Sequence, residues 1–455
     1  MQADNSTLWE LHQQLRTIAS TNTTASASIQ RQISNLLPES DIGIPTTQTG
    51  GQAESQPIEQ PKLLSHPHKK TPKGETTALH MNYTRNRSGE KVDCELDHLR
   101  FFAQTAQTLG IHLEILVHTP HRQDVDAVVN PEVFPSLDYS IIESSQPITK
   151  WAEDSVEYLA NGNVAVLTPL HDDLLEWAMK EGRRQRWNAY VEPERLEAML
   201  EDDHLWVPLG IRVNSSETGQ ERERVAQAME LSVSHIRTYI EGGNMITGED
   251  RSGQTVVLVG KDAIATTACF YQLTHDDVRQ VIAEDFGLDS AQIIAIEQPG
   301  QFHLDMGLLF IGDGTVILND SQVGLENAKE MAELAPCTTT ESMAEKMQLQ
   351  CALETAAAQD LENAGFTVIR KSLENSGMYN FFNGEFVTGS DGHTHYITNG
   401  GPLDQQDAFF DLMVNQWRVV KTVFFSPSKA AYKSLQDKGG VGCRLKGSAL
   451  DFNKQ

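Results

Sequence analysis

The chain reads as a mixed α/β protein of enzyme size, and three observations lead to that class. Short apolar runs rich in β-branched residues recur along it, each bounded by Gly, Pro, Asn or Asp. Segments with amphipathic helical spacing lie between these runs. The alternation extends from Leu99 to near the C-terminus, so the pattern is mixed throughout rather than divided into an α and a β part.

In chain order, residues 1 to 78 are rich in Ser, Thr, Gln and Pro and carry few large apolar side chains after Leu37. Such a composition buries too little surface to offset ordering entropy, which predicts a largely disordered tail with one early helix around residues 7 to 36. The remainder, 79 to 455, is the candidate catalytic domain. Strands are expected at HLEILV (112 to 117), NVAVL (163 to 167), TVVLVG (255 to 260), LLFIGDGTVIL (308 to 318), FTVIR (366 to 370) and VVKTVFF (419 to 425). Tyr158 to Thr168 reads as a hairpin turned at Asn161-Gly162-Asn163. Helices are expected at 174 to 187, 193 to 200, 222 to 240, 273 to 286 and about 341 to 364. The stretch from 171 to 237 is unusually helical and charged and reads as a helical insert. No internal repeat identifies the architecture, so periodicity stops at a large α/β or α+β domain. At 455 residues the chain suits two or three domains of roughly 100 to 200 residues each, or one large architecture.

Sixty-three acidic against 36 basic residues give a formal charge of −27. That balance repels phosphate backbones and anionic membrane surfaces and favours cationic ligands, so neither a nucleic-acid nor a membrane partner is expected. It also serves solubility. No run reaches the roughly 20 apolar residues of a membrane-spanning helix. Five cysteines, Cys94, Cys269, Cys337, Cys351 and Cys443, are scattered without a C-x-x-C pair, which suggests neither a disulfide framework nor a zinc site. A reducing compartment is the default. The opening MQADNSTLWELHQQL lacks a basic region followed by an apolar core, so the expectation is a cytoplasmic protein or one exported without a visible signal peptide.

Four segments offer chemistry. In Gln301-Phe302-His303-Leu304-Asp305-Met306, strand alternation would put His303 and Asp305 on one face, an imidazole beside a carboxylate. Glu241-Gly242-Gly243-Asn244 precedes a strand, with paired glycines suited to a turn of close backbone approach and Glu241 at its lip. Trp151-Ala152-Glu153-Asp154-Ser155 places Asp154 just before the hairpin. Gly439-Gly440-Val441-Gly442-Cys443-Arg444 sets one cysteine behind a glycine-rich approach, and a nearby imidazolium would favour its thiolate.

Taken together and in this order, Glu241-Gly242-Gly243-Asn244, His303-Leu304-Asp305 and the late Gly-Gly-x-x-Cys resemble the guanidino-group-modifying enzymes of the pentein superfamily, which includes arginine, agmatine and peptidylarginine deiminases. The resemblance covers roughly residues 95 to 447. It implies a pentein-type α/β propeller, a fan of five ββαβ units around a central pore, with the helical insert added. It implies Cys443 as nucleophile, His303 as general acid and base, and Glu241 as the carboxylate that supports the histidine. Asp154 and Asp305 match the carboxylates that grip the guanidinium. Tyr379-Asn380-Phe381 and Thr398-Asn399-Gly400-Gly401 resemble a region where relatives have an asparagine near the substrate, which gives Asn380 that role. Relatives commonly show W-x-R-D where this chain has Glu153.

The implied reaction suits the residue types. A guanidinium is planar and permanently cationic, so paired carboxylates hold it through charge-assisted hydrogen bonds. A thiolate attacks its central carbon, the histidine protonates the departing nitrogen, and water then releases a ureido product. Carboxylates clustered around a thiol raise one another's pKa, so the empty site should favour the neutral thiol. No cofactor or metal is required, and no EF-hand-like loop is visible. Free arginine, agmatine, methylarginine and protein arginine all remain open as substrates, as do an amine acceptor in place of water and a non-catalytic binding platform. A papain-like protease is disfavoured because its cysteine normally precedes its histidine.

Overall fold

The computed structural model describes residues 65–85, 93–154, 156–161, 164–166, 225–231, 233–236, 238, 240–271, 274–299, 303–334, 338–372, 374–375, 379–437 and 439–449. Every described residue belongs to the unit Lys62–Gln455.

Strands β1 (Ala78–Tyr83), β2 (His112–His118) and β3 (Tyr139–Ser144) run parallel in one sheet. Helices α1 (Asp93–Leu109) and α2 (Arg122–Val128) make the crossovers that parallel neighbours require. A second pattern begins with β4 (Glu157–Tyr158), antiparallel to β5 (Val164–Val166), which pairs in parallel with β6 (Val233–His235). The same order recurs in β7 (Met245–Glu249), β8 (Thr255–Gly260) and β9 (Ile293–Ile296), with α3 (Lys261–Tyr271) and α4 (His275–Phe286) before the last strand. It recurs again in β10 (Leu308–Gly312), β11 (Thr315–Asn319) and β12 (Thr367–Lys371), joined through α5 (Gln322–Leu334) and α6 (Thr338–Asn363). After a small hairpin of β13 (Glu374–Asn375) and β14 (Tyr379–Asn380), it appears once more in β15 (Gly384–Thr388), β16 (Thr394–Thr398) and β17 (Val423–Phe425), with α7 (Leu403–Phe410) between. Helices α8 (Ser428–Gln436) and α9 (Val441–Arg444) then lead into β18 (Leu445–Ser448), which returns antiparallel onto β1. Among the described residues no sheet closes on itself.

The apolar runs explain where these strands sit. In β8, Val257 and Val259 enter one core with Ile282 and Phe286 of α4, while Val256 and Leu258 enter another with Phe310 and Ala357. Both faces are covered, which is why TVVLVG is apolar throughout instead of alternating. In β11, Val316 and Leu318 join the second of these cores and Ile317 joins a third, built around Phe381, Phe386 and Phe409. Helix α4 starts where Thr274 and Asp277 form a reciprocal capping box and stops where Gly287 turns left-handed at φ +63°.

Four local expectations are corrected. LLFIGDGTVIL is not one strand but a hairpin, because Asp313 and Gly314 take positive φ of 51° and 62° and reverse the chain. The last expected strand is confined to Val423–Phe425. Among the described residues of the segment expected as a helix over 222 to 240, helix covers 225 to 228, and Val233–His235 is a strand paired with β5. Finally, residues 65 to 77, grouped with the tail by composition, pack onto the folded unit. Pro67 bridges to Leu159, His68 donates its N–H to the Tyr158 carbonyl at 2.7 Å, and Lys70 donates its N–H to the Thr247 carbonyl at 2.9 Å. Backbone pairing and polar side-chain bonds such as Lys70 with Glu153 and Thr71 with Glu249, rather than apolar side chains, hold this segment, so composition could not reveal it. The expected helix at 7 to 36, the helices at 174 to 187 and 193 to 200, and most of the insert lie outside the described residues.

Candidate active site

Three turns at strand ends bring distant residues together. The first is the short helical turn Gly242–Asn244, which leads into β7 and leaves Glu241 extended just before it. The second is Leu304–Met306, a single turn before β10 with His303 extended at its start. His303 and Asp305 are therefore not on one face of a strand, as alternation suggested. They nonetheless converge, because both side chains close on Gly243: a Cβ there would lie 2.6 Å from His303 Nδ1 and 2.9 Å from Asp305 Oδ1. Glycine at 243 is a steric requirement of that approach.

The third turn is α9, which carries Cys443 directly ahead of β18. Gly440 backs onto two asparagines, and a Cβ there would lie 2.5 Å from both Asn383 Oδ1 and Asn399 Nδ2. The Val441 N–H donates to Asn399 Oδ1 at 3.0 Å, and the Cys443 N–H reaches Asn383 Oδ1 at 3.4 Å. The Cys443 side chain is buried against Met306, Leu435 and Trp151.

These placements assemble one polar site. His303 Nε2 and Glu241 Oε2 are hydrogen-bonded at 2.6 Å. Cys443 Sγ lies 3.9 Å from Asp305 Oδ2. Asn383 Nδ2 donates to Asp305 Oδ2 at 2.7 Å and lies 3.4 Å from Cys443 Sγ, so it spans the two groups. The other carboxylate oxygen, Asp305 Oδ1, is buried and accepts no hydrogen bond among the described residues. An unsatisfied buried carboxylate oxygen is costly unless a donor arrives to fill it.

Asp154 follows Glu153, whose N–H donates to the Cys443 carbonyl at 3.2 Å, and its charge acts on Cys443, His303 and Asp305. Asn380 is placed differently from the sequence expectation. Its Nδ2 donates to the Met306 carbonyl at 2.8 Å, and its Oδ1 accepts from the N–H groups of Phe382 and Asn383. Its hydrogen bonds go to the backbone of its surroundings, and Asn383, three residues on, is the asparagine that faces the thiol.

The charge state follows from burial. Burial, then the Asp305 and Asp154 carboxylates, push the Cys443 thiol well above its ordinary value. Burial, with Glu153 and Asp154, pushes Asp305 up to about 7 against the pull of His303 and Lys70. Burial alone would lower His303, but the Glu241 hydrogen bond and charge, helped by Asp154 and Asp305, raise it to about 9. These directions favour an imidazolium at His303 and a neutral thiol at Cys443. Among the described residues no group of three or more His, Cys, Asp or Glu side chains has the arrangement that would hold a metal ion.

Sequence reasoning missed the charged residues beneath the site. Glu153, Glu157, Glu385 and Lys446 are buried charged residues joined by the half-buried Lys70, and Lys446 Nζ bonds Glu157 Oε2 at 2.6 Å and Glu153 Oε2 at 3.2 Å. Burial, with Glu153 next in weight, pushes Glu385 up to about 8. Only Glu153 carried any signal, as the glutamate standing where W-x-R-D would have an arginine.

No family model matches the chain, and no curated protein matches it by sequence. Among solved structures it is similar to a structural-genomics target provisionally assigned as an agmatine deiminase, with 13% identity over 85% of this chain and 95% of that one and a TM-score of 0.55. It is also similar to an agmatine deiminase of C. jejuni, at 12% identity, 87% and 98% coverage and a TM-score of 0.49. A third is the N-terminal domain of ArgZ, an arginine dihydrolase from the ornithine-ammonia cycle in cyanobacteria, at 11% identity, 81% and 97% coverage and a TM-score of 0.38. The first of these establishes a shared fold.

Proposed function

We propose that the chain is a cysteine-dependent guanidino-group hydrolase that converts an arginine-type guanidinium to a ureido product and ammonia or an amine. The observation that carries this reading is the placement of Asp305, which lies 3.9 Å from the Cys443 thiol, closes on Gly243 beside the Glu241-bonded His303, and keeps a buried oxygen that accepts no hydrogen bond among the described residues. The five sheets with a shared antiparallel-then-parallel order, or its extension in the first, are read as units of a fan about a pore.

Asp305 and Asp154 grip the guanidinium nitrogens, the Asp305 inner oxygen gaining the donor it lacks. The arriving cation offsets the two carboxylates that hold the Cys443 thiol up, so only with substrate in place does the thiol release its proton, which goes to solvent because His303 is already protonated. The thiolate then attacks the central carbon, and the tetrahedral adduct expels a nitrogen that takes a proton from the His303 imidazolium. Glu241 steadies that imidazolium. Neutral His303 next takes a proton from water, which attacks the thiouronium carbon and frees the thiolate with the ureido product. Because Cys443 and His303 are both only 3% exposed, the guanidinium must arrive on a slender arm, as it does in arginine, agmatine and an arginine side chain.

A ureido-product assay on the purified chain with arginine, agmatine and an arginine-containing peptide, beside Cys443→Ala, tests the reading and separates the substrates. Product from at least one substrate that vanishes in the variant is the expected result. Absence of product from a folded chain, or product undiminished in Cys443→Ala, would overturn it.

A further inference from the structure

We infer that Lys70 is a positioning residue for this reaction, its ammonium tying Glu153 to the Gly242–Met245 turn and so fixing where Asp154 and Glu241 stand against Cys443 and His303. The inference rests on the hydrolase reading for the roles of those four residues. Lys70 lies on the stretch before β1 that pairs with the backbones of Leu159 and Thr247, so it enters between β4 and β7 from outside the sheets. Its Nζ makes three contacts at once: with Glu153 Oε1, with the Gly242 carbonyl at 3.0 Å and with the Met245 carbonyl at 3.1 Å. Glu157 Oε2 stands 3.9 Å away.

Each contact lies one or a few residues from a group assigned to the chemistry. Glu153 precedes Asp154, and its N–H holds the Cys443 carbonyl. Gly242 and Met245 bracket the turn that follows Glu241, the partner of His303. A Cβ at Gly242 would lie 1.8 Å from the Glu153 carbonyl oxygen, so these two segments touch and the ammonium pins them where they meet. Burial opposes its charge, but Glu153 and Glu157 hold the Lys70 ammonium above its ordinary range, so it is present at every working pH. Lys446 already bonds Glu153 and Glu157 from the other side. Charge balance alone therefore does not explain the two carbonyl contacts that only Lys70 makes.

The test separates positioning from simple neutralisation. Lys70→Met leaves Glu153 short of one cation, and Lys70→Met with Glu153→Gln removes one charge of each sign. The double variant should recover the wild-type Tm to within a few degrees. It should still lose at least tenfold in kcat/KM, with the alkaline limb of its pH profile displaced by half a unit or more. Recovery of both kcat/KM and the pH profile would overturn the inference. If the wild-type chain turns over no guanidine, the hydrolase reading fails on its own. The pH dependence of Cys443 alkylation by iodoacetamide, followed by peptide mass, then decides the placement of Lys70. A displaced midpoint in the double variant supports it, and an unmoved midpoint overturns it.

Discussion

Burial holds Asp305 up to about 7, well above the 3.8 of an exposed aspartate, and that difference ties the site to stability. A folded pKa raised above the unfolded one contributes stability that is full below the unfolded value and lost as pH rises through about 7. Above neutrality the ionised carboxylate destabilises the folded chain. Asp305→Asn should therefore raise Tm by roughly 2 °C or more at pH 8 and by less at pH 5, while abolishing turnover. Thermal scans at the two pH values check this, and an equal shift at both would show that Asp305 is not the buried charge it is taken for. His303, raised to about 9, sets a second dependence. As the acid of the proposed reaction it is lost when pH rises through that value, so kcat/KM should fall on the alkaline side. Removing the Glu241 charge in Glu241→Gln should move that limb toward the ordinary imidazole value of about 6.5 and cut the rate at pH 8 at least tenfold. A limb that stays near 9 in the variant would take Glu241 out of its supporting role. Both residues were legible in the sequence because each sits in a short motif. Asn383 and Lys70 were not, since what they touch is contributed by segments 60 or more positions away.

At the scale of the element, the site is built on turns rather than on strands. The alternation argument put His303 and Asp305 together on a strand face, and they are together, but through the turn Leu304–Met306 and the open space above Gly243. Alternation and a single helical turn give the same pairing of residues two apart here, so sequence alone could not separate them. The distinction has a consequence that can be measured. With a strand, a methyl group at Gly243 would be an ordinary loop substitution. With this turn it lies 2.6 Å from His303 Nδ1 and must displace either the imidazole or Asp305. Overpacking of this kind costs about 1–3 kcal/mol in stability, whereas misplacing a catalytic group by about 1 Å costs on the order of a hundredfold in rate. Gly243→Ala should accordingly remain folded, with a modest loss in Tm, and lose a hundredfold or so in kcat/KM. Full activity in the alanine variant would mean that the turn is wider than these distances imply.

Over the whole molecule, most strands were legible because buried runs such as TVVLVG advertise themselves, whereas the closing of the first sheet by β18 was not. That pairing joins Ala78 to Ser448, and no local pattern marks a partner so far along the chain. It bears on the proposed function because β18 begins two residues after Cys443, so the same strand that completes the sheet anchors the cysteine proposed as nucleophile. The net charge of −27 acts at this scale too. It is a diffuse field, screened over about 10 Å at 0.1 M salt, and distinct from the short contacts of Asp305 and Asp154. Such a field concentrates cations near the protein without altering the transition state once the guanidinium is bound. Raising salt from low to high should therefore raise KM and leave kcat nearly unchanged. Agmatine carries two positive charges at neutral pH and arginine a net charge of one, so where both are turned over the rise should be steeper for agmatine. Kinetics in sodium chloride between about 0.05 and 0.5 M check this. A KM that stays flat for the dication would confine the attraction to the few buried carboxylates, which added salt does not reach.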